Sequence, residues 1–244
     1  MSASSMTEGG WPGHRRSAAR PFDAVLFDFG GTLFGHTEGP LLVAQAARSI
    51  GLHLEPGQAD DLWTEIDRAA MATEEVALGR DLDATVWRER WTALYGLADR
   101  AAAGLGAAID AAMHDPWAWI PHDDAVPTLE ALHHSGVPVG VVSNTGWDIR
   151  APFAVRELEP LVTAFVLSYE VGAAKPDPAI FEAACAAFSS PPARTLLVGD
   201  NPVADGGAAA AGLTVLIVPP APLGAAHGLL GAARLAGVTV DRAG

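Results

Sequence analysis

Three polar residues close apolar runs. Ala24-Val25-Leu26-Phe27 stops at Asp28, the run from Val137 to Val142 stops at Ser143, and Thr195 to Gly199 stops at Asp200. In a parallel α/β sheet the carboxyl ends of the strands open on the ligand crevice, so these side chains converge if their strands are neighbours. Two carboxylates in one crevice repel each other unless a cation lies between them. A few hard oxygen ligands suit Mg²⁺, which keeps waters and a phosphate in its shell. Taken singly, Asp28 also reads as a strand-end turn residue and Asp200 as a helix N-cap. Lys175 is the only lysine among 15 basic residues. A chain that otherwise uses arginine keeps a compact ammonium here, where a guanidinium is a poorer fit.

The elements that must position these residues can be read from hydrophobic patterning. Two further apolar runs, Ala164 to Leu167 and Thr214 to Val218, complete a set of five. Continuous runs of this kind suit strands buried on both faces of a parallel sheet. Helical patterns at Ala151 to Leu158, Ala179 to Ala187 and Ala204 to Ala211 alternate with the later runs. The expected fold is therefore α/β, a doubly wound parallel sheet of about five strands. Gly35 to Ile120 contains no convincing strand and instead carries helical patterns at Gly39 to Ile50, Ala59 to Leu78, Leu82 to Leu94 and Leu97 to His114. This predicts a helical cap over 35–120, inserted into a core of 21–34 and 121–244. Met1 to Arg20 reads as a tail, and the pattern weakens after Pro219 except for one helix around Ala225 to Ala236.

Composition excludes several classes of function. The formal net charge is −14, with 29 acidic against 15 basic residues, which disfavours nucleic acid as a partner. No stretch approaches the roughly 20 apolar residues of a membrane helix. The single cysteine, Cys185, excludes an internal disulfide framework. Arg15-Arg16 is not followed by an apolar segment, so a cytoplasmic location is the default expectation. Oligomeric state is not legible.

Four motifs in order resemble the haloacid dehalogenase superfamily. They are the strand ending in Asp28-Phe29-Gly30-Gly31-Thr32-Leu33, then Val141-Val142-Ser143-Asn144, then Lys175-Pro176, and finally Gly199-Asp200-Asn201-Pro202-Val203-Ala204-Asp205. The resemblance covers nearly all of the chain after the tail. It implies a Mg²⁺-dependent hydrolase of the helical-cap, phosphatase-type branch, acting on a small phosphorylated substrate. Asp28 is then the nucleophile that forms an aspartyl-phosphate, and Ser143 with the Asn144 backbone holds phosphoryl oxygens. Lys175 neutralises charge between the nucleophile and the transferring group. The metal would be held by Asp28, the Gly30 carbonyl and Asp200, with Asp205 acting directly or in support. Gly31 and Thr32, next in the motif, are expected beside the phosphate.

The main departure is Gly30, which stands where most phosphatases of the family carry a second Asp as general acid and base. Glycine cannot shuttle a proton, a role typically worth about 10²–10⁴-fold in rate. Three outcomes are open: a substrate with a good leaving group, a replacement acid (His36 is the candidate), or a catalytically weak chain that binds without turnover. Relatives that dehalogenate without metal carry an aromatic residue at this place and lack the acidic pair. Phosphonatases of the family need a cap lysine, and none lies between Gly35 and Ile120. Within the cap, Arg80 follows Gly79 and is a candidate for gripping an anionic group. Trp63, Trp87 and Trp91 fall at helical spacings and read as cap core, and Trp147 and Arg150 are candidates for the entrance.

Overall fold

The computed structural model describes residues 20–37 and 39–240. Apart from Arg20, the expected tail lies outside the described residues. Arg20 itself is docked, and its guanidinium donates to the backbone carbonyls of Ser135 and Gly136.

The chain order of strands is β1 (Ala24–Phe27), β2 (Phe34–His36), β3 (Trp119–Pro121), β4 (Val139–Ser143), β5 (Ala164–Leu167), β6 (Thr195–Gly199) and β7 (Thr214–Ile217). Five of them form one parallel sheet in the order β5-β4-β1-β6-β7. β1, β4 and β6 are fully buried, in keeping with their predominantly apolar sequence. Phe27 pairs with Val141 on one side and Val198 on the other. The strands that end in Asp28, Ser143 and Asp200 are therefore consecutive, and their carboxyl ends share one edge of the sheet.

Helices cover both faces. On one side α6 (Ala125–His134), α7 (Arg150–Ala154) and α10 (Leu230–Leu235) enclose a cluster that includes Phe27, Phe153 and Leu129. On the other, α9 (Pro178–Ala187) packs Ile180 and Phe181 against Leu26 and Leu197. Asp124 ties the C-terminal segment to the start of α6, since its carboxylate accepts from the backbone N–H groups of His227, Gly228 and Leu229.

Between β2 and β3 lie α1 (Gly39–Ser49), α2 (Gln58–Ala70), α3 (Thr73–Val76), α4 (Ala84–Gly96) and α5 (Leu105–Met113), which enclose an apolar cluster of their own. The short α8 (Ser168–Val171) follows β5. The helical reading of this stretch needs one correction: its two ends are strands. β2 and β3 pair antiparallel, with Gly35 opposite Ile120, so the chain leaves and re-enters the core as a two-stranded ribbon. The patterned stretch from Ala59 to Leu78 is broken at Met71-Ala72 into α2 and α3, and the one from Leu97 to His114 becomes a 3₁₀ turn at Leu97–Arg100 followed by α5. The helix expected over Ala225 to Ala236 is confined to α10. α4 begins where it does because the Asp83 carboxylate caps the N–H groups of Thr85 and Val86. Its Trp87, Trp91 and Tyr95 recur every fourth residue and stack along one face, with ring centroids 5.5 and 5.1 Å apart.

Candidate active site

The Asp28 carboxylate lies just past the end of β1. Its Oδ1 accepts from the Phe29 N–H at 2.7 Å and lies 2.8 Å from the Lys175 ammonium. Lys175 reaches it from the loop before α9, buried to 2% side-chain exposure, and donates to Asp205 Oδ1 at 2.6 Å. Burial opposes the ammonium, but Asp28 and Asp205 outweigh that penalty and push its pKa up. Burial raises the Asp28 carboxyl to about 6 against the pull of Lys175, which leaves it ionised at neutral pH.

Asp28, Asp200 and Asp205 each offer a carboxylate oxygen within 4.8 Å of the others. They differ in how free those oxygens are. Asp205 is fully buried, with Oδ1 on Lys175 and Oδ2 accepting from the Asn201 N–H at 2.9 Å. It therefore fixes the lysine and the loop after β6. Asp200 accepts from the Thr32 hydroxyl at 3.2 Å. Gly31 passes directly beside it with φ 78°, where a Cβ would stand 2.5 Å from Asp200 Oδ2.

A cavity of about 460 Å³ opens over this centre. Its floor includes Asp28, Gly30, Ser143, Asn144, Lys175 and Asp200. Asn144 does more than contribute backbone: its side-chain amide donates to the Lys175 carbonyl at 2.8 Å and accepts from the Lys175 N–H at 2.7 Å. A carboxylate just past a strand end, a buried ammonium and an adjacent acidic pair are groups of the kinds that serve nucleophilic and phosphoryl-transfer chemistry.

A family model described as haloacid dehalogenase-like hydrolase matches residues 22–212. The chain belongs to that family. Among solved structures, this hydrolase is similar to a HAD phosphatase from Thermococcus onnurineus, at 19% identity over 89% of this chain and 99% of that one, with a TM-score of 0.57. It is also similar to a dehalogenase, at 22% identity over 90% and 97% of the two chains, TM-score 0.64. The L-2-haloacid dehalogenase of Xanthobacter autotrophicus matches at 23% identity over 91% and 85%, TM-score 0.59. No curated protein sequence matches. Likeness at these identities establishes the fold of the hydrolase.

Several residues stand elsewhere than the sequence suggested. Gly31 and Thr32 serve Asp200 and do not line the main cavity. His36 faces a separate cavity of about 190 Å³, shared with His122 and the far side of Asp200. Its ring packs on Trp119, with its two nitrogens against the carbonyls of Thr37 and Ala112, so it does not reach the cavity over Asp28. Arg80 is turned into the cap. It donates to the Ala70 carbonyl at 2.8 Å, lies 3.6 Å from Glu75 and covers the Trp91 ring at 4.8 Å. Arg150 is held by Asp148 and Glu170, both at 2.9 Å.

The tryptophans do two things at once: Trp63 and Trp91 pack against the apolar cluster of the inserted helices, as expected, and the rings also border the cavity. Trp63, Trp87 and Trp91 line the cavity over Asp28, joined by Trp119 from β3 and Trp147 from the loop after β4. Their four-residue spacing indicated a shared helix face, but nothing in it said what that face looks onto. Among the described residues, no helix is long and apolar enough to cross a membrane.

Proposed function

We propose that this hydrolase is a Mg²⁺-dependent phosphatase of a small phosphorylated metabolite, working through an aspartyl-phosphate on Asp28. The observation that carries the reading is the charge balance at that residue. Asp28, Asp200 and Asp205 gather within 4.8 Å, and Lys175 supplies one positive charge. Three negative charges against one leave an excess of two, which a divalent cation offsets, and the donors are all hard oxygens. Asp28 and Asp200 would hold the ion with the Gly30 carbonyl, and Asp205 would steady Lys175. When bound, Mg²⁺ supplies positive charge that screens the phosphoryl oxygens from the nucleophile.

The chain's own residues then act in sequence. Ser143 and the Asn144 backbone hold the phosphoryl oxygens. An Asp28 oxygen attacks phosphorus, the bond to the leaving oxygen breaks, and water later cleaves the acyl phosphate. Lys175 stabilises charge throughout. Gly30 offers no proton to the leaving oxygen, and His36 faces another cavity. Substrates whose leaving oxygen carries negative charge well are therefore favoured.

The test is phosphate release from a panel of monoesters, with Mg²⁺ and with EDTA. Release should need the ion, and Asp28→Asn should abolish it while the folded state persists by circular dichroism. Full activity of that variant would sink the reading. The second reading is metal-free dehalogenation; two of the similar solved structures are named as dehalogenases. Halide release from a 2-haloacid that survives EDTA would select it.

A further inference from the structure

The upper part of the main cavity has a chemistry that the phosphoryl site does not require. Trp63 on α2, Trp87 and Trp91 on α4, and Trp119 and Trp147 on the core side all line it. The rings form two neighbouring pairs, Trp87 with Trp91 at 5.5 Å and Trp119 with Trp147 at 5.9 Å. Among the described residues, Lys175 is the only cationic side chain lining the cavity, and two carboxylates already hold it. Asp67 also lines the cavity, one turn along α2 from Trp63. It is exposed and forms no ion pair among the described residues.

Electrostatics decides which substrates such a wall accepts. Aromatic faces carry the negative part of the ring quadrupole, so they attract cations and repel anions. A carboxylate or second phosphate on the substrate would meet an aromatic wall and Asp67, with no free cation among the described residues to receive it. A neutral apolar group would find the rings but leave Asp67 without purpose. An ammonium, above all a methylated one, uses both.

We propose that the substrate is the phosphate monoester of a short amino alcohol, its ammonium seated among the indoles and facing Asp67. This rests on the phosphatase reading above and deepens it. The volume of about 460 Å³ lies within the roughly 300–1,000 Å³ usual for small-ligand sites. The choice also answers the missing acid at Gly30. A positive charge two carbons from the leaving oxygen stabilises the negative charge that develops there. When the P–O bond breaks, the alkoxide takes its proton from water. The hydroxide equivalent left by that proton transfer then attacks the aspartyl-phosphate, whose acyl P–O bond breaks to return Asp28 and inorganic phosphate, so one water is consumed overall and nothing is oxidised or reduced.

The probe is choline phosphate, compared with its uncharged isostere 3,3-dimethylbutyl phosphate and with anionic phosphoglycolate. With the full chain and Mg²⁺, kcat/KM for choline phosphate should exceed that for the isostere by roughly 10-fold or more, and phosphoglycolate should be the poorest. Asp67→Asn and, separately, Trp63→Leu should each shrink the choline-to-isostere ratio several-fold. An isostere hydrolysed as fast as choline phosphate, or a ratio unmoved in both variants, overturns the inference while leaving the phosphatase standing. If no ester is hydrolysed, the phosphatase reading has failed on its own. Indole fluorescence then decides: saturable quenching by choline but not by 3,3-dimethylbutanol supports the ammonium site, and equal response to both overturns it.

Discussion

Asn144 grips the backbone of Lys175 from both sides, giving a hydrogen bond to its carbonyl at 2.8 Å and taking one from its N–H at 2.7 Å. The loop before α9 is thereby pinned to the end of β4, and the ammonium is held where it meets Asp28. Asn144→Ala should leave two backbone groups without partners and let the lysine drift. A misplacement of about 1 Å can lower a rate by roughly 10²-fold. Steady-state kinetics should show the loss in kcat more than in KM. An unchanged kcat would mean that Lys175 is positioned by Asp28 and Asp205 alone.

Thr32 and Asp200 make a second such pair, hydroxyl to carboxylate at 3.2 Å. Partners that orient a metal-binding carboxylate are typically worth about 10–100-fold in metal affinity. Thr32→Val keeps the shape of a buried side chain and removes the donor. The Mg²⁺ concentration giving half-maximal activity should rise by about that factor, with the maximal rate restored at saturating ion. An unshifted Mg²⁺ titration would count against the placement of the ion on Asp200.

Gly199 closes β6 where Asp205 folds back beneath the strand. A Cβ there would stand 2.1 Å from the Asp205 Cγ, closer than any real contact. Gly199→Ala should therefore displace a fully buried carboxylate or the strand itself. Overpacking of this kind costs typically about 1–3 kcal/mol, readable as a lower urea midpoint. A midpoint equal to that of the parent would show that the loop after β6 yields freely.

The cap carries its own acid-sensitive link. Glu75 is buried, and Arg90 donates to both of its oxygens from Nε at 3.1 Å. The hydrogen bond to Arg90 holds the Glu75 carboxyl below its ordinary value, against the opposing effect of burial. A depressed carboxyl adds stability that is present above the unfolded pKa and fades as pH falls through the folded one. Arg90 is itself partly exposed, so solvent screening limits the contribution. Glu75→Gln should lower the melting temperature at pH 7, and the gap to the parent should close as the pH drops below the ordinary glutamate range. A gap that persists undiminished in acid would show that the loss is one of packing.

The sheet was the most legible part of the molecule, because strands buried on both faces must be almost wholly apolar, as Ala24–Phe27 and residues 139–142 are. The acidic loop and the lone lysine were legible for a related reason, since they interrupt or follow those runs at fixed places. β2 and β3 were not, because three residues each are too few for an alternation to register. His36 and Arg80 point elsewhere than expected, because neither nearness to a motif, for His36, nor following a glycine, for Arg80, fixes the direction of a side chain. Backbone carbonyls at Ala112 and Ala70, remote in sequence, draw their side chains away. The packing of Trp63 and Trp91 on the inserted helices' own cluster was legible, but their place on the cavity wall was not, because helical spacing identifies a face and not what it confronts.

Lys175 is the chain's single lysine, and its side chain is 2% exposed. Reagents that acylate or cross-link amines therefore find no side-chain target on the outer surface. An adduct on Lys175 would report that its side chain had become exposed, so the rate of its formation gauges how often the residues around it part.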